Sequence, residues 1–150
     1  MNAKFVSSIG ATTRSRLATV SVDARLVDVA RLLANTHVSL VVVCGPDGAM
    51  AGIITKSNVV QQIGQCQGAG CMIAAAQLMV RDVTYCRPSD SLADVLSTMA
   101  NRGFVHVPVL DDQSRPLGVV NARDALRALL AEEEYEESLL RDYVMGVGYR

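Results

Sequence analysis

The sequence predicts a mixed α/β fold of the α+β type, in which two β-α-β-β-α repeats pack with pseudo-twofold symmetry and precede a C-terminal helical segment. Three observations predict it: the sequence aligns with itself, apolar patterns recur at matching places, and the composition suits a buried core. Half of the 150 residues are hydrophobic and 19% are charged. That balance gives one globular unit enough apolar surface to fold.

The internal repeat has a period of 66 residues. At that shift Val22–Asn58 aligns with Pro88–Asp124 without a gap. A fixed period indicates a repeated structural unit, and a unit this small must bury its apolar face against its neighbour. The identical residues are Leu26, Asp28, Val29, Ala34, Asn35, Val41, Val43 and Gly52 in the first copy, and Leu92, Asp94, Val95, Ala100, Asn101, Val107, Val109 and Gly118 in the second.

The periodicity of apolar residues predicts the same elements in each copy. An amphipathic helix shows apolar residues at i, i+3, i+4 and i+7, and β-branched runs on both sides of a turn indicate a hairpin. Ser91 followed by Asp94 predicts a capping box at the second amphipathic helix. The predicted elements are strands 18–21 and 83–86, helices from Leu26 and Leu92, hairpin strands 38–44 with 50–54 and 104–110 with 117–120, and closing helices 56–63 and 122–130.

These elements divide the chain into five parts. We expect a lead-in over residues 1–16, a first repeat over 17–64, a linker over 65–77, a second repeat over 78–131 and an acidic, amphipathic helix over 132–150. The lead-in is expected to be an ordered strand, although its basic residues and lack of acids before Asp23 also suit a transit peptide. The last helix is expected to dock on its own body, or else on a partner.

A motif closes each hairpin: Gly52-Ile-Ile-Thr-Lys-Ser-Asn58 and Gly118-Val-Val-Asn-Ala-Arg-Asp124. The glycine allows a backbone or a ligand to come close. Thr55 and Asn121 stand where a helix begins, and free N–H groups there attract phosphate. Asn58 and Asp124, one turn later, have side chains that can hydrogen-bond a ribose diol. The same spacing is also an ordinary helix-capping pattern.

The repeat order, the run His106-Val-Pro-Val109 and the two closing motifs resemble the CBS domain, of which tandem pairs form a Bateman module. The resemblance implies a stand-alone regulatory module. It would bind an adenine nucleotide (AMP, ADP, ATP or an NAD-type ligand) in a cleft between the repeats, use no catalytic cofactor, and signal to an unknown protein partner in trans. It also implies a homodimer, for which the helical stripe ending in Leu129 and Leu130 is a candidate surface.

The resemblance also assigns roles to residues. It places ribose at Asn58 and Asp124, phosphate at Thr55 and His106, and the base at Thr19, Val20, Tyr85, Cys86 and Val107. Each motif departs from the family pattern once, with Asn58 in place of Asp and Asn121 in place of Thr. A carboxylate forms stronger, charge-assisted hydrogen bonds than an amide. We therefore expect unequal sites, with the second copy binding more tightly.

Composition argues against other classes of function. A net charge of −1 and 4% aromatic residues supply no footprint for nucleic acid. There is no apolar run long enough for a membrane span, no C-x-x-C pair that would indicate a metal site, and no nucleophile motif beside His37 or His106. Unpaired cysteines in a chain without a secretory signal favour the cytoplasm. The main alternative is an oligomerisation or scaffold protein whose ligand sites have decayed.

Overall fold

The computed structural model describes residues 4–65 and 72–131, so the helix expected over 132–150 lies outside the described residues. A 3-10 helix over Val6–Ile9 begins the described chain. The further helices are α1 (Gly10–Ser15), α2 (Leu26–Leu33), α3 (Lys56–Gln65), α4 (Ala75–Leu78), α5 (Leu92–Arg102) and α6 (122–131), and the strands are β1 (Thr19–Ser21), β2 (Leu40–Cys44), β3 (Met50–Thr55), β4 (His106–Leu110) and β5 (Pro116–Asn121).

The strands form two sheets, one in each repeat. In the first, β1 pairs parallel with β2, and β2 pairs antiparallel with β3. In the second, β4 pairs antiparallel with β5. Each hairpin register is interrupted once, between Val43 and Cys44 in the first repeat and between Val109 and Leu110 in the second. These two irregularities lie 66 residues apart, so the repeat extends to backbone detail.

The strand expected over residues 83–86 is reduced to a single parallel bridge between Cys86 and Val109. Two prolines explain the difference. In the first repeat, the Val22 N–H donates to Cys44 O (3.2 Å) and the Val42 N–H donates to Ala18 O (2.9 Å). The positions 66 residues later are Pro88 and Pro108, and proline has no N–H to donate.

Each repeat has its own apolar core between its sheet and its helices. Val41 and Val43 are fully buried in the first core, and Val107 and Val109 are 2% exposed in the second. The residues that alternate with them form a third cluster, in which Leu40 and Val42 of β2 pack with Val119 of β5. The expected packing of one sheet on the other is thus carried by the alternate side chains, because successive residues of a strand point to opposite faces.

The expectation of a lead-in strand is wrong, because residues 6–15 are helical. Val6 is 1% exposed in the core of the second repeat, and α1 packs on β5 of that repeat. Conversely, the segment preceding α4, which leads into the second repeat, packs on the first repeat. Matching hydrogen bonds show the symmetry: the Leu92 N–H donates to Lys4 O (2.9 Å), and the Leu26 N–H donates to Ile73 O (3.0 Å).

The apolar stripe on α6 also differs from the expected one. Leu129 packs against the core of the second repeat, whereas Leu126 and Leu130 are about half exposed. The exposed residues are four positions apart and therefore share one face of the helix. Val60 of α3 occupies the position equivalent to Leu126 and is 67% exposed. Within residues 4–65 and 72–131, no helix has the length and hydropathy of a membrane span.

Candidate functional site

The glycines of the closing motifs lie against other parts of the protein. A Cβ atom added to Gly52 would lie 2.6 Å from the carbonyl oxygen of Val80, and one added to Gly118 would lie 2.6 Å from Thr13 Oγ1. Both distances are far below van der Waals contact. Close packing of a neighbouring segment, and not approach of a ligand, therefore explains the glycine at each position.

The polar residues of the first motif cap α3. Asn58 Oδ1 accepts hydrogen bonds from the Thr55 N–H (2.8 Å) and the Thr55 hydroxyl (3.0 Å), and the Asn58 N–H lies 3.3 Å from Thr55 Oγ1. This is a reciprocal capping arrangement. Both residues remain half-buried beside an open cavity. The capping and binding interpretations are therefore compatible at this position.

That cavity, which we name the first cleft, has a volume of about 270 Å³ and lies between the two repeats. The first repeat contributes Ile53, Thr55 and Asn58. The remaining lining residues come from the second repeat: Val80, Asp82, Val83, Thr84, Gly103, Phe104, Val105, His106 and Pro108. The predicted residues Thr55, Asn58 and His106 thus meet in one place.

His106 is the titratable group set deepest in the first cleft. Its Nδ1 atom is buried, and no described residue forms a hydrogen bond with it. Burial lowers the pKa of His106 below its ordinary value, and the positive charge of Lys56 lowers that pKa further. Near pH 7 His106 is therefore a neutral imidazole, which has one nitrogen that donates a hydrogen bond and one that accepts.

Three of the expected base contacts point elsewhere. Val107 is buried in the core, because on β4 the alternate residues His106 and Pro108 face the first cleft. Cys86 and Tyr85 line a different cavity of about 180 Å³ beside α5. Burial raises the pKa of the Cys86 thiol to about 12. Val107 lines this same cavity, so three of the expected base contacts meet there and not at the first cleft. The neighbour of Val107 that faces the first cleft is Pro108, since strand side chains alternate.

Thr19 and Val20, the other two expected base contacts, do not lie beside the second motif. Val20 packs against the core of the first repeat, and the exposed Thr19 pairs with Val42 in the β1–β2 ladder. Arg16, which precedes β1, contacts the second motif instead.

The second motif is occupied by an ion pair. Asn121 Oδ1 caps α6 by accepting from the N–H groups of Arg123 (2.9 Å) and Asp124 (3.4 Å). The carboxylate of Asp124 is paired with the guanidinium of Arg16 through both of its oxygens. The Asp124 side chain is 5% exposed. The expectation of a carboxylate free for ribose is therefore not met at Asp124.

Sequence reasoning missed Asp82, Thr84, Phe104 and Pro108 in the first cleft and Arg16 beside the second motif. Two signals in the sequence point to three of these residues. Strand alternation places Pro108, and not Val107, on the same face as His106. The 66-residue shift aligns Arg16 with Asp82, which marks both as equivalent positions beside the two motifs. Among residues 4–65 and 72–131, no group of three His, Cys, Asp or Glu side chains is arranged to hold a metal ion.

Comparison with known proteins identifies relatives of the chain. The sequence model of the CBS domain family matches residues 6–64 and 75–131. An uncharacterized 17.7 kDa protein of Acidianus ambivalens is 25% identical over 143 residues, covering 92% of this chain and 85% of that protein.

Two solved structures are similar in fold. The CBS domain pair of protein MJ0100, in complex with 5′-methylthioadenosine and S-adenosyl-L-methionine, is 20% identical with a TM-score of 0.73, covering 87% of this chain and 99% of that one. The CBS-domain containing protein ATU1752 from Agrobacterium tumefaciens is 25% identical with a TM-score of 0.71, covering 84% of this chain and 93% of that one. Because the family match takes in well over half of the sequence, this chain belongs to the CBS domain family and carries two CBS domains.

Proposed function

We propose that this CBS domain pair is a non-catalytic regulatory module that binds one adenosine-containing ligand in the first cleft and transmits the bound state to a partner protein in trans. The observation that carries the proposal is the convergence of Thr55, Asn58 and His106 on a cavity between the repeats. A ligand there touches both repeats, so its binding changes how firmly they are held together.

The dimensions and walls of the first cleft suit one nucleoside. Its volume of about 270 Å³ is near the lower end of small-molecule sites, which span roughly 300–1,000 Å³. Phe104 is 41% exposed and lines the cleft together with the buried ring of Pro108. An aromatic face and a proline ring offer a flat purine an apolar slot.

Polar groups around that slot match the rest of an adenosine ligand. Because Pro108 has no N–H, the carbonyl of Thr84 lacks the strand partner that Ala18 has in the first repeat, which leaves an acceptor for the adenine amino group. Asn58 and Asp82 are available to the ribose hydroxyls. Thr55 at the start of α3, with His106 and Lys56, favours a phosphate. The ligands of the MJ0100 domain pair, 5′-methylthioadenosine and S-adenosyl-L-methionine, share the adenosine group.

The test is calorimetric titration with AMP, ATP, S-adenosyl-L-methionine and 5′-methylthioadenosine, with GMP as the comparison for the base. The chain offers a matched pair of exposed phenylalanines, because Phe104 lines the first cleft and Phe5 lies outside it. Loss of base stacking is worth about 1–3 kcal/mol per base. We expect Phe104→Ala to weaken binding about fivefold to 150-fold and Phe5→Ala to leave it unchanged. Absence of binding by every adenosine compound would leave the scaffold function as the better description.

We also propose that the chain forms a homodimer through α3 and α6. The support is the exposure of apolar residues on both helices, with Val60 and Leu126 at equivalent positions of the two repeats. Exposed apolar side chains on a pseudo-symmetric pair of helices suit an interface in which one surface meets its own copy.

A further inference from the structure

The 66-residue repeat makes the position beside Asn121 and Asp124 equivalent to the one beside Thr55 and Asn58, and we name it the second cleft. We propose that Arg16 acts as an internal occupant of the second cleft, so that the chain binds a single adenosine-containing ligand until the Arg16–Asp124 pair is broken. This inference rests on the proposed function and names which of the two pseudo-symmetric positions takes the ligand. Arg16 is thereby the residue that determines how many ligand molecules each chain binds.

The guanidinium of Arg16 uses all three of its nitrogens. Nε and Nη2 donate to Oδ2 and Oδ1 of Asp124, the latter over 3.0 Å, and Nη1 donates to the carbonyl oxygen of His37 over 3.1 Å. Paired donors in a planar fork match the geometry of a carboxylate. A ribose diol needs the same two carboxylate oxygens, so ribose and Arg16 compete directly for Asp124.

Arg16 is held in place by the packing of the segment that carries it. It follows α1 directly, and α1 packs on β5 with the buried Thr13 against Gly118. The hydroxyl of Ser15 also lies 3.1 Å from His37 Nε2. The guanidinium is therefore presented to Asp124 by an anchored segment, and a free ligand must compete with a tethered group.

The first cleft carries the opposite charge at the equivalent position. The 66-residue shift aligns Arg16 with Asp82 and Asp124 with Asn58. Among the described residues, no ion pair involves Asp82, which lines the open first cleft. The first cleft thus has Asp82 where the second has Arg16, and Asn58 where the second has Asp124. Without a basic residue and a carboxylate partner for it, the first cleft has no internal occupant.

The experiment counts AMP molecules bound per chain by calorimetry in the wild type, in Arg16→Ala and in Arg14→Ala. Arg14 is the matched control, because it removes the same charge from the same segment and makes no contact with Asp124. We expect one equivalent in the wild type and in Arg14→Ala, and two in Arg16→Ala. Because removal of Arg16 frees the Asp124 carboxylate to form hydrogen bonds with the ligand, the affinity of the second cleft for AMP should rise at least about tenfold.

Two controls make each outcome decisive. Far-UV dichroism establishes that Arg16→Ala is folded. In the wild type, the NMR signal of the Arg16 Nε–H should stay unchanged at AMP saturation, which tests the inference without a variant. Two equivalents in the wild type, a displaced Arg16 signal, or a folded Arg16→Ala that binds one equivalent or none would each overturn the inference and leave the proposed function standing. A wild type that binds no adenosine compound would overturn the proposed function, and the inference with it.

Discussion

Gly118 of β5 lies against Thr13 of α1 so closely that a Cβ atom at position 118 would fall 2.6 Å from Thr13 Oγ1. Thr13 is 4% exposed and its hydroxyl donates to Gly10 O over 3.1 Å, so it has little room to move. The contact joins the N-terminal segment to the second repeat. A motif position that suggested a ligand therefore serves the assembly of the fold.

We expect Gly118→Ala to lower the free energy of unfolding by about 1–3 kcal/mol, the usual effect of overpacking. Gly64→Ala is the control, because a Cβ there meets no atom within 4 Å and the residue lies in α3. Alanine in a helix is favoured over glycine by about 0.8–1.0 kcal/mol, so Gly64→Ala should raise stability. Urea unfolding of both variants measures the two effects. An unchanged stability in Gly118→Ala would show that α1 shifts freely on β5.

The ion pair between Arg16 and Asp124 should contribute measurably to stability. The Arg16 side chain is 17% exposed and that of Asp124 is 5% exposed, so the carboxylate depends on its partner more than the guanidinium does. We expect Arg16→Ala to lower the free energy of unfolding by about 1.5–3 kcal/mol, the range for hydrogen bonds to charged groups. Asp124→Ala, which from sequence would lose only a helix cap, should be destabilised by a similar amount.

A double-mutant cycle on these two positions isolates the interaction. The Arg16→Ala/Asp124→Ala variant should be less destabilised than the sum of the two single variants, because both charges are gone. The pair of Arg127 with Asp124, at 3.8 Å, serves as the control. Arg127 is 71% exposed, so Arg127→Ala should have an effect below about 1 kcal/mol. Additive single effects would mean that Arg16 and Asp124 do not interact in solution.

The pKa of His106 predicts a pH dependence of stability. Burial and the charge of Lys56 lower this pKa in the folded protein, whereas the unfolded chain keeps a value of about 6.5. Between the two values the unfolded state binds more protons, so the free energy of unfolding falls as the pH drops from about 7 through 6.5 and levels off below the folded pKa. Urea unfolding at several pH values should show a weaker dependence of the free energy of unfolding on pH in His106→Gln than in the wild type. The same pH dependence in both proteins would contradict the burial of His106.

If the dimer forms through α3 and α6, a charge introduced on either helix should separate its two subunits. Val60 and Leu126 are 67% and 48% exposed at equivalent positions. We expect Val60→Asp and Leu126→Asp each to convert the dimer to a monomer, because an unpaired charge must then be buried at the interface. Light scattering coupled to size exclusion measures the mass. Val27→Asp on α2, at a residue 38% exposed, is the control and should remain dimeric. A wild type of monomer mass at high micromolar concentration would rule out the dimer.

The fold class follows from local patterns in the sequence, because the periodicity that buries one helix face or one strand face is written in each segment. Helix α5, for example, begins at Leu92 as predicted, and Ser91 Oγ accepts from the Asp94 N–H, which is one of the two hydrogen bonds of the predicted capping box. The 66-residue repeat and the resemblance to the CBS domain also predicted that the two repeats pack against each other. Where a prediction failed locally, as for the strand over 83–86, the reason was chemical: Pro88 and Pro108 have no N–H with which to complete a ladder.

The sequence by itself determined the two repeats, their element order and the chemistry of the closing motifs. Only the tertiary structure decided which side chains meet across them. Strand alternation placed Pro108 in the first cleft and Val107 in the core, and the helical N-terminal segment brought Arg16 onto Asp124 from 108 residues away. Contacts at that separation depend on how packed elements cross, which no local periodicity encodes. The two equivalent motifs therefore differ in what they hold, because the segments that reach them carry opposite charges at Arg16 and Asp82.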